Sequence, residues 1–111
     1  MIDWDYARPD WLMWELARSM WEFSKDKRLH DLRGDRATEF LRAYREAGGP
    51  VPHAEFHLLV PFIRVVRLAE ALRHLTNAAH GRPWDIRYTA HNLRSLDNLG
   101  RRSVELTHTL T

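Results

Sequence analysis

The segment from His53 to His80 places apolar residues at helical spacing over its whole length, which restricts this part of the chain to a helical fold. Pro61 interrupts the segment because it has no backbone N–H and its ring presses on the preceding turn. We therefore predict a kink or a fresh helix start at this proline. The periodic apolar positions are Phe56, Leu59, Val60, Ile63, Val66, Ala69, Ala71 and Leu72.

Three further segments carry helical signals of their own. The first is predicted from about Trp11 to Ser24, with Asp10 as its N-cap and with apolar residues around most of its circumference. The second is predicted over 35–47, where Gly48, Gly49 and Pro50 follow as the expected stop signals. The third begins near Asp85 and repeats leucine at helical spacing.

The length of 111 residues is enough for a single core and not for two. We predict one all-α domain over residues 1–111 with four to five helices. Residues 1–9 are expected to be strand-like or extended, residues 25–33 to form a loop, and residues 107–111 to be a frayed tail.

The amino-acid composition excludes several kinds of site and of protein. The sequence contains no cysteine, which excludes disulfides, thiolate zinc sites and cysteine nucleophiles. No apolar run approaches the roughly 18 residues that a membrane-spanning helix needs, so we expect no membrane partner. These features favour a cytoplasmic location.

Two carboxylates near the start of the chain are candidate metal ligands. On a strand, Asp3 and Asp5 would point to the same face about 7 Å apart. Magnesium is commonly held by one or two carboxylates together with substrate phosphates. From composition alone, the same residues also fit an acidic tail in solvent.

Histidines and arginines offer weaker signals. His53 and His57 lie four residues apart and could share a helix face, but Glu55 is misplaced for a metalloprotease motif and no third ligand has a clear spacing. A surface pair is the favoured interpretation. A solvated helix face is likewise favoured over a nucleic-acid site for Arg82, Arg87, Arg94, Arg101 and Arg102.

The string from Ile2 to Asp10, followed by Glu15-Leu16-Ala17, resembles the aminoglycoside phosphotransferase and choline kinase-like family, which has a protein-kinase type fold. The resemblance implies that Asp3 is the aspartate that binds the magnesium of the nucleotide. Glu15 stands where the family usually has aspartate, and Arg8-Pro9-Asp10 replaces a turn that commonly contains glycine. The helices downstream then look like the helical C-terminal subdomain, which forms part of the wall around the acceptor substrate.

The resemblance also implies what these residues lack. The family's His-Gly-Asp catalytic loop and its nucleotide-binding lobe are not among the 111 residues. Phosphoryl transfer depends on positioning and charge neutralisation, so we expect no phosphotransfer by this chain alone, and no bound cofactor. Mg²⁺ and ATP belong to the family; if the chain is an enzyme, the resemblance implies a phosphotransferase.

Our leading prediction is therefore a truncated phosphotransferase subdomain that acts as a dimeric binding or structural module. Trp11 and Trp14 on the first helix are the expected homodimer surface, since exposed apolar patches usually mark association. The alternative is an independent small-molecule enzyme or binding protein that uses the helical pocket. Its candidate polar residues are Asp3, Asp5, Glu15 and His57. A weaker alternative is an arginine-rich nucleic-acid binder.

Overall fold

A computed structural model describes the backbone of residues 4–111 and the side chains of residues 11–111. Over this range the chain forms five α-helices and one short antiparallel hairpin, which confirms the all-α prediction. Two 3-10 segments, His53–Leu58 and Pro83–Asp85, precede α3 and α4. The elements are α1 (Trp4–Ser24), β1 (Lys25–Asp26), β2 (Asp31–Leu32), α2 (Gly34–Glu46), α3 (Leu59–Ala79), α4 (Ile86–Arg101) and α5 (Ser103–Leu110).

The core lies where α1, α2 and α5 meet the first half of α3. Apolar residues at spacings of three and four on each helix point into this region, as amphipathic helices require. Helix α4 packs along the other side of α3. The core side chains include Met13, Ala17, Met20, Leu41, Phe56, Leu59, Ile63, Leu99 and Leu106.

The start of α3 confirms the expected effect of Pro61. A 3-10 segment runs to Leu58 and the α-helix begins at Leu59, so the proline lies in the first helical turn. The missing N–H costs nothing there, because the first N–H groups of a helix have no intrahelical partner.

The beginning of the chain differs from the prediction. Helix α1 begins at Trp4, so the extended start is wrong for residues 4–9, and Asp10 lies inside the helix instead of capping it. A strand needs a neighbouring strand for its N–H and C=O groups, and the two strands among the described residues pair with each other. A helix satisfies those groups internally. Residues 1–3 lie outside the described residues.

Two other predicted segments are more ordered than expected. The predicted loop at residues 25–33 contains the hairpin, in which Lys25 pairs with Leu32 and Asp26 with Asp31. The predicted frayed tail is wrong, because residues 107–110 continue α5 and Leu110 is buried together with Leu106. These two leucines are four residues apart, so both face the core from one side of the helix.

The tryptophans of α1 have three different environments. Trp21 is buried and Trp14 is half-buried, whereas Trp11 is 63% exposed. The expected burial around most of the helix therefore holds at Trp21 and not at Trp11.

Candidate functional site

A polar cavity of about 340 Å³ lies between α1, the hairpin, α3 and α4. Three cationic side chains, Lys25, Lys27 and Arg67, face it against the single carboxylate of Asp26. Aromatic rings supply most of the remaining wall. The lining residues are Trp21, Lys25, Asp26, Lys27, His30, Arg67, Tyr88, His91, Asn92 and Ser95.

The hairpin turn sets the position of His30 in the wall. The Asp26 carboxylate accepts hydrogen bonds from the backbone N–H groups of Arg28 at 3.0 Å and of Leu29 at 3.1 Å. His30 then adopts a left-handed backbone with φ of 52°. Asn98 on α4 donates to the carbonyl oxygens of Leu29 at 3.1 Å and of His30 at 3.0 Å, which holds the turn against α4.

Arg102, just beyond α4, holds the second strand in place. Its guanidinium donates to the Asp31 carboxylate at 2.8 Å and to the Leu32 carbonyl at 3.0 Å. Burial works to lower the pKa of Arg102, but the hydrogen bonds and charges of Asp31 and Glu105 outweigh it and raise that pKa. The hairpin is thus fixed at both ends by side chains from the end of α4.

Arg67 is the central cation of the cavity. Its Nη1 donates to Oδ1 of Asn92 at 2.9 Å, and its Cζ lies 5.0 Å from the centroid of the Trp21 ring, within cation–π range. Its Nε–H is buried and has no hydrogen-bond partner in the described part of the chain. Burial, together with Arg18, lowers the pKa of Arg67. An arginine with a lowered pKa is still charged at neutral pH, so this donor keeps a full positive charge.

Two histidines close the side of the cavity next to α4. The rings of His30 and His91 stack with centroids 4.5 Å apart, and Tyr88 lies edge-on to His91 at 6.1 Å. Burial is the largest cause that lowers the pKa of His30. The charges of His91 and Arg94 lower this pKa further, and the charge of Asp26 raises it. His30 is therefore a neutral ring at pH 7 that gains a proton more readily when an anion is nearby.

The buried carboxylate of Asp85 acts on Tyr88 through the ring of His74. Asp85 accepts a hydrogen bond from Nδ2 of Asn77 at 3.0 Å and lies 3.3 Å from Nδ1 of His74. Burial works to raise the pKa of Asp85, but those two hydrogen bonds and the charge of Arg82 outweigh it and hold that pKa below its ordinary value. The ring of His74 packs 5.1 Å from that of Tyr88, so Asp85 orients the wall indirectly.

The residues singled out from sequence lie elsewhere. Asp3 is outside the described residues, and Asp5 is on α1 with no described side chain. Glu15 is half-buried on α1, with its carboxylate 3.9 Å from Arg18. His57 is in the 3-10 segment, with Nδ1 2.9 Å from the carbonyl oxygen of Ala54. Neither Glu15 nor His57 lines the cavity, and within the described residues no group of three or more carboxylate or histidine side chains could hold a metal.

A second, larger hollow of about 590 Å³ is open to solvent beside α2 and α5. Several of its polar groups are paired, since Arg42 binds Glu46 at 3.1 Å and His53 Nε2 lies 3.0 Å from the carbonyl oxygen of Thr111. We regard it as a groove between packed elements.

Most of the arginines considered for nucleic acid have carboxylate partners. Arg82 lies 3.8 Å from Asp85, Arg101 is paired with Asp97, and Arg102 binds Asp31. Such pairs neutralise the charge that a phosphate backbone would need, which favours the solvated-face interpretation.

Comparison of the sequence with protein-family models and with curated proteins finds no match, and comparison with solved structures finds none either. Among residues 4–111, no helix is both long and apolar enough to cross a bilayer.

Proposed function

We propose that the chain is a kinase-like phosphotransferase subdomain that binds a small anionic molecule and does not transfer phosphate by itself. The ancestry rests on the Ile2–Ala17 string and on the helical architecture that follows it. Ligand binding rests on the cavity around Arg67, whose lining residues differ from those predicted for the helical pocket. The cytoplasmic location also stays a prediction.

One observation carries the binding proposal: the buried Nε–H of Arg67 has no partner among the described side chains and backbone groups, and Arg67 lines a cavity. A buried donor of this kind costs free energy unless something accepts its proton. An anion in the cavity would offer the Arg67 guanidinium an acceptor and would lie beside Lys27 and Lys25, of which Lys25 is also paired with Glu22 at 2.8 Å. Arginine is well suited to this role, because its planar fork matches the oxygens of phosphate and carboxylate.

The aromatic wall narrows the class of ligand. Trp21, Tyr88 and His91 present ring surfaces to the same space as the cations. An anionic group attached to a flat or apolar body would use both kinds of contact. We therefore expect an aromatic phosphate ester to bind more tightly than inorganic phosphate.

Titration calorimetry with phenyl phosphate and with inorganic phosphate tests the proposal. We expect the wild-type chain to bind both, the ester more tightly, and Arg67→Met to lose at least about tenfold in affinity, because a charged hydrogen bond is worth about 1.5–3 kcal/mol. Arg64→Met is the matched control, since Arg64 lies one turn away on α3, is exposed, and does not line the cavity.

Several results would contradict this function. If the wild-type chain binds neither anion, or if Arg67→Met binds the anions as tightly as the wild type, the cavity around Arg67 is not the binding site. Hydrolysis of ATP, or phosphorylation of an aminoglycoside or choline by the purified chain, would refute the claim that it lacks phosphotransfer activity.

A further inference from the structure

Helix α3 has a regular apolar stripe on the side that faces away from the core. Val65, Leu68, Leu72 and Leu75 follow one another at spacings of three, four and three residues, and each is between 44% and 56% exposed. This is the heptad spacing by which one helix packs lengthwise against another. Such a stripe is ordinarily buried.

The stripe continues onto α4. Ile86 and Leu93 are one heptad apart on that helix and are 52% and 47% exposed. Hydrogen bonds from Thr89 to the carbonyl of Ala71 at 3.3 Å and from Arg67 to Asn92 hold α4 antiparallel to α3. The cavity residues of α4 are Tyr88, His91, Asn92 and Ser95, and at about 100° per residue Ile86 and Leu93 lie on the side of the helix opposite the centre of that set. We call Val65, Leu68, Leu72, Leu75, Ile86 and Leu93 the apolar face.

We propose that the apolar face is the interface between two copies of this chain, which pair about a twofold axis into a four-helix arrangement. A two-helix surface with heptad spacing is complementary to itself, so the same patch on a second copy fits it. The solvent-facing side of α3 carries little charge to oppose this pairing. Its other exposed residues between 61 and 79 are Pro61, Arg64, Ala69, Arg73, Thr76 and Ala79, and the charge of Arg73 is paired with Glu70 on the same helix.

The exposed area agrees with a dimer. The chain has an accessible surface of 7443 Å², whereas a folded monomer of 13.2 kDa exposes about 6,400 Å². The difference of about 1,000 Å² is an excess of the whole chain to which the half-exposed side chains of the apolar face contribute, and a standard interface buries roughly 800 Å² on each partner. Trp11, which we predicted to be part of the homodimer surface, is a single exposed ring and offers a much smaller surface than the apolar face.

The test is sedimentation equilibrium of the full chain from low to high micromolar concentration. We expect a dimer, and we expect Leu72→Glu to raise its dissociation constant by about 100-fold, because a charge buried without a partner is strongly unfavourable. Val104→Glu is the matched control: Val104 is 86% exposed on α5, outside the apolar face, and its variant should still dimerise. Circular dichroism of both variants checks that they are folded.

A cross-linking variant keeps the test independent of any folding defect. The chain has no cysteine, so Leu72→Cys introduces a single thiol. We expect Leu72→Cys to form a disulfide-linked dimer on mild oxidation, and we expect Val104→Cys to dimerise without forming that covalent link.

Three outcomes would overturn the proposal. The first is a wild-type chain that stays monomeric over the whole concentration range. The second is a dimer that survives Leu72→Glu but dissociates with Trp11→Glu, which would place the interface on α1. The third is a monomer that sediments with anionic phospholipid vesicles through this face, which would make a lipid surface the occupant.

Discussion

Replacing Arg67 by methionine should abolish anion binding at little cost in stability. The variant loses the hydrogen bond to Asn92, worth about 1.5–3 kcal/mol, and the contact with the Trp21 ring, worth about 0.5–2 kcal/mol. It also removes a buried donor that has no partner in the described chain, a relief of about 1–3 kcal/mol. The methionine chain still covers the apolar surface that the arginine stem covered. Together these ranges lower the free energy of unfolding by about 1.5 kcal/mol at their midpoints and by no more than about 4 kcal/mol.

Urea unfolding followed by circular dichroism measures this change with and without phosphate. For the wild type, phosphate at about ten times its dissociation constant should add about 1.4 kcal/mol of stability, because it binds only the folded chain. Arg67→Met should gain nothing from phosphate, whereas Arg64→Met should gain as much as the wild type.

The reasoning fails in either of two cases. A loss of more than about 4 kcal/mol in Arg67→Met without phosphate would show that the arginine is a structural element whose removal breaks a buried network. An equal gain from phosphate in Arg67→Met and the wild type would show that the anion binds elsewhere.

Four further substitutions test the local structure. Gly49→Ala should cost about 2–4 kcal/mol in urea unfolding, because its Cβ would lie 2.2 Å from the Tyr44 ring; Gly48→Ala, with φ of 80° and open space, should cost only about 1 kcal/mol. The pKa of His30 is lowered from 6.5, so protonation favours the unfolded chain and stability falls as pH drops below 6.5; His30→Asn should reduce this loss between about pH 7.5 and about pH 5.5. The pKa of Asp85 is lowered from 3.8, so its stabilisation is present above 3.8 and is lost as pH falls through the lower folded value; thermal melts of Asp85→Asn should show a lower midpoint at neutral pH and a weaker acid dependence.

The helices were predictable because each buries a periodic apolar face. Helix α2 is observed at Gly34–Glu46 against a predicted 35–47, and α4 begins at Ile86 against a predicted start near Asp85. Local spacing is sufficient information when burial follows the helical period.

The hairpin and the last helix depended on distant residues. The hairpin is held by Asn98 and Arg102, roughly seventy positions away, and strands of two residues leave no periodic signal. Residues 107–111 are mostly polar and lie at the end of the sequence. The burial of Leu110 depends on contacts with other helices, so the local sequence does not indicate it.

The site was not predictable for the same physical reason. Arg67 meets Asn92 and His30 meets His91 only because α3, α4 and the hairpin pack together. In the sequence, Arg67 is one of four charged residues on α3, and His30 is one histidine in a polar stretch. The carboxylates near the start form a local motif, which can be recognised in the sequence. A cavity built from four elements has no such motif.

The proposed anion site and the proposed dimer interface lie on opposite sides of one helix pair. Arg67 and Asn92 span α3 and α4 on the cavity side, while Leu68 and Leu93, the next residues in the chain, belong to the apolar face. A second copy packed on that face would fix the spacing of the two helices, and that spacing sets how Arg67 and Asn92 meet a ligand. Linkage then requires phosphate to strengthen the dimer by the same factor by which dimerisation strengthens phosphate binding. Sedimentation equilibrium in phosphate against chloride of equal ionic strength measures the factor. A dimer constant that is the same in both salts would mean that the two sides of the pair act independently.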